Sequence, residues 1–197
     1  MKKLLTLIVT LTAAIVGGYF LYAHFGHRPV HGLVIVDPQA TRLTTTLAEQ
    51  KAEIETQLIL TSKYQKSTDT LVLSKRQAQQ LVARKGLKQV TQKGKNDYRF
   101  RALTQVPQDL PAVYSKNSGA NKVVDQSGVV YRAATQGYVV LGQSSMFTKQ
   151  LLILNDRDYQ RFHGSQVHVA VLTLKDDAAD RISRFDGESL QIFDQDL

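Results

Sequence analysis

Apolar residues along this chain fall into runs of different period, and the longest run comes first. Residues 4–22 read LLTLIVTLTAAIVGGYFLY, nineteen positions without a charge or a proline. As a helix rising ~1.5 Å per residue this stretch would be about 28 Å long, close to the ~30 Å hydrocarbon core of a bilayer. Beyond it come short β-branched or leucine-rich runs. Residues 30–36, 57–63, 70–73, 98–103, 112–114, 138–141 and 151–154 each predict a strand. Residues 123–124 and 129–132 flank Ser127-Gly128, a hairpin signal. Residues 166–174 alternate strictly, with Val167, Val169 and Val171 on one side and His168, Ala170 and Leu172 on the other. Residues 190–193 predict a closing strand.

Helical spacing appears between these runs. Asp37-Pro38 reads as a helix start, with Leu43, Leu47 and Ile54 as its apolar stripe to about residue 55, although Thr44, Thr45 and Thr46 weaken its propensity. Ser74 and Gln77 form a capping box, Leu73 and Ala78 a hydrophobic staple, and Ala78, Leu81 and Val82 a buried stripe. Gly86 predicts a Schellman end with Leu87 folded back on Val82. Asn155 predicts a cap for a short helix with Asp156 and Asp158 in its first turn, Tyr159 and Phe162 inward, and Gly164 as its stop. Asp176 or Asp177 starts a last helix to residue 185. Residues 71–81 align with 152–162 as two strand–cap–helix units, either an internal duplication or two answers to the same physical demand. The fold class that results is α+β: a mixed sheet with three to four helices, preceded by one N-terminal transmembrane helix.

Charge supplies the topology. Lys2 and Lys3 precede the apolar stretch and hold the short start in the cytoplasm. Residues 1–28 are then the cytoplasmic start, anchor and linker, and residues 29–197 an extracytoplasmic α+β domain, single-pass in the cell membrane. A cleaved signal peptide would also fit the basic start and apolar run, but Leu21-Tyr22-Ala23 is a poor cleavage site. The 197 residues contain no cysteine, which removes disulfides, thiolate chemistry and a lipid-bearing cysteine after the apolar run.

The net charge of +8 is unevenly distributed. Lys75, Arg76, Arg84, Lys85, Lys88, Lys93, Lys95, Arg99 and Arg101 stand against Asp97 alone, whereas residues 151–197 carry five basic and nine acidic residues. The basic segment is either a solvated face or a site for anionic lipid or anionic wall polymer; outside the cell, nucleic acid is not the expected polyanion. Enzyme signatures are missing. Gly142-Gln143-Ser144-Ser145-Met146 lacks the second glycine of a nucleophile elbow, and Gly94-Lys95 lacks the remainder of a phosphate loop. His24, His27 and His31 are close in sequence, but Pro29 separates them and no carboxylate joins them, so neither metal nor cofactor is expected.

One stretch resembles a known family. Residues 151–182, LLILNDRDYQRFHGSQVHVAVLTLKDDAADRI, give a strand, an Asn-Asp cap, a Tyr/Phe helix, a glycine, a long strand and an acidic-capped helix. This pattern resembles the extracytoplasmic domains of FtsX-type (MacB-like) ABC transporter permeases, and is similar to the small membrane-anchored or lipoprotein partners found with them in Gram-positive bacteria. The chain departs from the first in having one apolar span and from the second in lacking cysteine. The resemblance implies a non-catalytic accessory or sensor subunit of a cell-envelope ABC transporter, with a membrane permease as partner. The alternative is a cell-wall-associated module that uses the basic segment 75–101.

Overall fold

The computed structural model describes residues 28–92, 98–117, 119–143 and 148–196. The apolar stretch 4–22, with its predicted transmembrane helix, lies outside the described residues, as do His24, His27, Lys93 and Lys95. Among the described residues no helix is long and apolar enough to cross a membrane.

The centre of the fold is an eight-stranded mixed sheet. Its middle is a pair of long antiparallel strands, β2 (Ile54–Gln65) and β12 (Ser165–Leu174). On one side of β12 lie β1 (Gly32–Asp37) and then β13 (Ser189–Phe193). On the far side of β2 come β3 (Thr70–Ser74), β11 (Gln150–Leu154), β6 (Ala112–Ser115) and β9 (Ala134–Thr135). Only the β3–β11 and β6–β9 pairs are parallel. A three-stranded sheet packs on one face: β10 (Val139–Leu141), β4 (Leu87–Gln92) and β5 (Tyr98–Ala102). A two-stranded ribbon of β7 (Lys122–Val124) and β8 (Val130–Arg132) packs elsewhere. The helices are α1 (Ala40–Glu49), α2 (Lys75–Ala83), α3 (Asp156–Arg161) and α4 (Ala178–Arg181). Among the described residues a mixed sheet with four helices is the α+β class expected of the domain.

Alternation along β12 divides the core. Val167, Val169 and Val171 join Leu71, Leu73, Ala78, Leu81, Leu87, Val139 and Leu141 beneath α2 and the small sheet. Ala170, Leu172 and Leu174 turn the other way, toward Leu33, Ile35, Leu43 and Leu47 under α1 and α4. A third cluster, Val72, Val113, Val123, Tyr131, Leu152 and Phe162, holds α3 and the ribbon. Burial of these side chains, ~1.5–3 kcal/mol each, is the main favourable term.

The structure corrects several boundaries. The helix after β1 ends at Glu49, not residue 55, because Ile54 pairs with Leu174 and starts β2. Asp37 does not cap it; Gln39 is the cap position, and Asp37 Oδ1 accepts the Gln39 N–H instead. The capping box at Ser74 and Gln77 is present. The Schellman end of α2 is also present but one residue early: Gly86 N–H reaches Leu81 O and Lys85 N–H reaches Val82 O, so Lys85, at φ 54°, takes the left-handed position. Residues 87–92 form a strand that their polar character had hidden. The last helix shortens to one turn of α-helix, with Asp177 as its cap, followed by a 3-10 turn at Ile182–Arg184.

The two similar strand–helix units are neighbours. β3 and β11 run in parallel with Val72 opposite Leu152, one residue off the sequence alignment. Because side chains alternate along a strand, that one-residue offset sends aligned positions to opposite faces. Ala78 and Leu81 of α2 therefore join the first core cluster, and Phe162, at the end of α3, joins the third.

Candidate functional site

The small sheet has two unlike faces. Leu87, Val139 and Leu141 point inward to the core. The alternate positions, Val90 on β4, Tyr98 and Phe100 on β5, and Val140 on β10, lie on the other face, where Val140 is buried and Tyr98 exposed. With Tyr138 just before β10 they line a concavity of about 270 Å3. Val90 pairs with Phe100, and its N–H donates to the Tyr138 carbonyl at 2.9 Å, so β4 and β5 set these side chains in one register. Gly137, at φ 94°, turns the chain before Tyr138, and its carbonyl accepts the Ser115 N–H at 2.8 Å. That bond ties the aromatic face to β6.

Lys116 and Gln143 complete the rim. The Lys116 ammonium lies 5.5 Å from the Tyr98 ring centroid and 3.2 Å from its hydroxyl. Tyr98 remains 40% exposed, so its ring is available to a ligand. A second concavity, about 600 Å3, adjoins the first; Lys116 and Tyr138 line both, and Ser115, Asn117, Lys149 and Gln150 line the remainder. In the antiparallel pair of β6 and β11, Ser115 stands opposite Gln150. Lys116 and Lys149, which lie just outside these two strands, both line the larger concavity. Lys149 has only a long pairing, 3.8 Å to Asp69, and its side chain is exposed. No carboxylate or imidazole lines either concavity among the described residues.

The basic segment does not converge on this groove. Lys75 and Arg76 open α2, whereas Arg84 and Lys85 follow its end, more than ~12 Å away at 1.5 Å per residue. Arg84 donates to Thr56 Oγ1 at 2.9 Å. Lys88 is buried: its ammonium donates to the Asp194 carbonyl at 2.5 Å and lies 5.7 Å from the Phe193 ring. Burial pushes the Lys88 amine below its ordinary value, opposed by the carboxylates of Asp194 and Asp196. Gln195 and Asp196 share a surface depression with Arg84 and Lys85, so the acidic tail sits against this part of the basic segment. Asp194 N–H is bonded to Gln143 Oε1 at 3.1 Å, which ties the acidic tail to the segment after β10. Arg99 and Arg101 alternate with Tyr98 and Phe100 and occupy the opposite face of β5.

Other polar clusters have structural work. Thr61 Oγ1 and His168 Nδ1 are 3.1 Å apart. Asp37 stands opposite His168 in the β1–β12 register, but its oxygens accept from Arg42, Gln39 N–H and Glu188 N–H. His31 Nδ1 lies 3.1 Å from the Leu174 carbonyl. The groove was not legible as a site in the sequence. Its available signal was the i, i+2 pairing of Tyr98 with Phe100 and of Tyr138 with Val140, strands separated by some forty residues.

Comparison with known proteins agrees with this architecture. Residues 30–196 match the model of a family described as an uncharacterised lipoprotein family. The 1.5 Å crystal structure of a Bacillus anthracis protein assigned as a lipoprotein superposes with a TM-score of 0.71 at 20% identity, covering 83% of this chain and 98% of that one. That likeness concerns the fold. No curated protein matches. Neither comparison points to an FtsX-type permease domain.

Proposed function

We propose, from the premise that this chain belongs to the uncharacterised lipoprotein family matched over residues 30–196, that it is a non-catalytic binding domain held at the outer face of a membrane. Family membership agrees with an extracytoplasmic, membrane-associated domain. The 197 residues contain no cysteine to carry an acyl chain, so in this proposal the apolar stretch 4–22 anchors the domain in place of lipid. The observation that carries the reading is the character of the joined concavities. Among the described residues, aromatic, amide, hydroxyl and lysine side chains line them, with neither a carboxylate nor an imidazole. Such a lining suits the holding of a ligand.

A membrane permease of FtsX type as the neighbour is part of the same proposal. Its support is the 151–182 pattern, which the fold realises as β11, α3, β12 and α4. A tether raises the effective concentration of a domain for a membrane neighbour, so modest affinity suffices. The test is crosslinking of the full-length chain in intact cells, with identification of the captured material. Capture of a permease with its ATPase supports the whole proposal, and a chain lacking residues 1–28 then captures much less. Capture of envelope polymer alone removes the permease and keeps the binding domain. No capture, together with turnover of any envelope substrate by the purified chain, overturns the reading.

A further inference from the structure

We infer that the groove between the small sheet and the β6–β11 end of the large sheet binds an anionic glycan, a chain of sugar rings bearing carboxylate or phosphate groups. The inference rests on the binding-domain reading and names the ligand class of that domain. Three features of the groove select this chemistry together.

The first is the aromatic floor. Tyr98, Phe100 and Tyr138 present ring faces or edges in one open depression, with Val90 and Val140 between them. A pyranose has an apolar face of C–H groups that packs on such rings while its hydroxyls stay wet. At about 270 Å3 the depression suits one ring of that size, and it lies near the lower end of small-molecule sites. The second is the pair of lysines. Lys116 borders the aromatic floor, and Lys149 lines the same larger concavity, so an anionic group bound there meets two positive side chains. Among the described residues the lining contributes no carboxylate, and Lys149 has only Asp69, 3.8 Å away and outside the lining, opposite its charge. The third is the set of amide and hydroxyl groups. Gln143, Ser115, Asn117 and Gln150 stand along the groove; the oxygens of the first three already accept backbone N–H groups, which fixes them in place and leaves their amide and hydroxyl hydrogens as the donors that ring hydroxyls require.

The shape favours an oligomer. The aromatic depression opens into the larger concavity through the shared residues Lys116 and Tyr138, so a bound chain places a ring on Tyr98 and its next anionic substituent near Lys149. The basic residues expected from the sequence to hold polymer are elsewhere: Arg99 and Arg101 on the reverse face of β5, Lys88 buried. The charge that matters in this reading comes from two lysines outside the 75–101 segment.

The test uses the full-length chain in neutral detergent and three probes of matched length, measured by titration calorimetry. Hexagalacturonate has rings and charge, cellohexaose has rings alone, and hexa-aspartate has charge alone. The expected result is that hexagalacturonate binds at least tenfold more tightly than either of the others. Tyr98→Ala and Lys116→Gln each weaken it about tenfold, and Arg99→Gln leaves it unchanged. Tyr98 and Lys116 are exposed, so both variants should keep the parent melting temperature, which is measured alongside. Equal binding of hexa-aspartate, unaltered binding by Tyr98→Ala, or no binding of hexagalacturonate overturns the glycan assignment. If hexagalacturonate fails to bind while partner capture in cells persists, the binding-domain reading stands and this one fails.

Discussion

The ammonium of Lys63 lies 2.7 Å from the carbonyl oxygen of Phe162. It also donates to the carbonyls of Tyr159, at 2.5 Å, and Gln160, at 3.2 Å, and sits 4.8 Å from the Tyr159 ring centroid. A side chain from the central strand β2 thus closes the carboxyl end of α3. A helix of six residues has little stability alone, and its last carbonyls have no partners within the helix. The positive charge also opposes the negative end of the helix dipole.

Lys63→Met should therefore destabilise the domain by about 1–3 kcal/mol, the cost of leaving partly buried acceptors without donors. The aliphatic stem is retained, so packing changes little. A shift in the urea midpoint without change of slope would register the loss. A midpoint within error of the parent would show that water replaces the ammonium.

Phe162 is the apolar counterpart of that polar closure. It is 2% exposed and its ring lies 5.1 Å from that of Tyr131, across the third core cluster. Phe162→Ala should cost about 3–5 kcal/mol, the range for truncating a buried aromatic residue. A loss under about 1 kcal/mol would mean that the ribbon collapses onto α3 and fills the space.

These contacts mark how far the sequence could be read. Where a rule is local, it could be read directly: the capping box of Ser74 and Gln77, the Asn155 cap, the alternation of β12. Lys63 and Phe162 are 99 residues apart, and nothing in either neighbourhood announces the other. β4 was missed because Lys88 interrupts its apolar pattern, and only the arrival of Phe193 and Asp194 explains a buried lysine there. The groove was missed for the same reason: it takes its side chains from β4, β5, β10 and the end of β6. The basic run was legible as charge, but its division between the two ends of α2, the core and one face of β5 was not.

Acid should loosen the domain through two buried carboxylates. Asp125 Oδ1 accepts from Ser127 and Val129 N–H, both at 2.9 Å, and Oδ2 from His163 N–H at 3.0 Å, which joins the β7–β8 turn to the segment after α3. Burial pushes its carboxyl up, but these bonds outweigh burial and hold it below its ordinary value. Asp37 behaves alike: burial raises it, and Arg42 with the Gln39 and Glu188 N–H groups brings it lower. A carboxyl depressed on folding adds stability above its unfolded value of about 3.9, lost as pH falls through the folded value. Urea midpoints should hold above about pH 5 and fall below about pH 4. Asp125→Asn should cost about 1–3 kcal/mol at pH 7 and progressively less toward pH 2. A cost independent of pH would remove Asp125 from the acid response.

Gly32 is the position where a single methyl group should undo an element. It opens β1, and its cross-strand partner is Phe193 of β13. A Cβ there would meet the Phe193 carbonyl oxygen at 2.3 Å and the ring at 2.7 Å. The nearer atom is backbone, so no rotamer change relieves the contact; the strand must move. β13 is the edge of the large sheet and pairs with β1 on one side, so it can move. Its displacement would withdraw Phe193 from the core and Asp194 from Lys88. Gly32→Ala should therefore cost more than the ~1–3 kcal/mol usual for an overpacked site, with the loss concentrated at the carboxyl end. Gly128→Ala is the control. Gly128 has φ 89° and open space around its Cβ direction, so alanine there brings backbone strain of about 1–2 kcal/mol confined to the β7–β8 turn. Hydrogen exchange followed by mass spectrometry separates the two. In Gly32→Ala, amides of residues 189–196 should exchange at least tenfold faster while β2 and β12 keep their protection. In Gly128→Ala, the 189–196 segment should match the parent. Unchanged protection of β13 in Gly32→Ala would mean that β1 shifts instead, and the disturbance would then appear in residues 32–37.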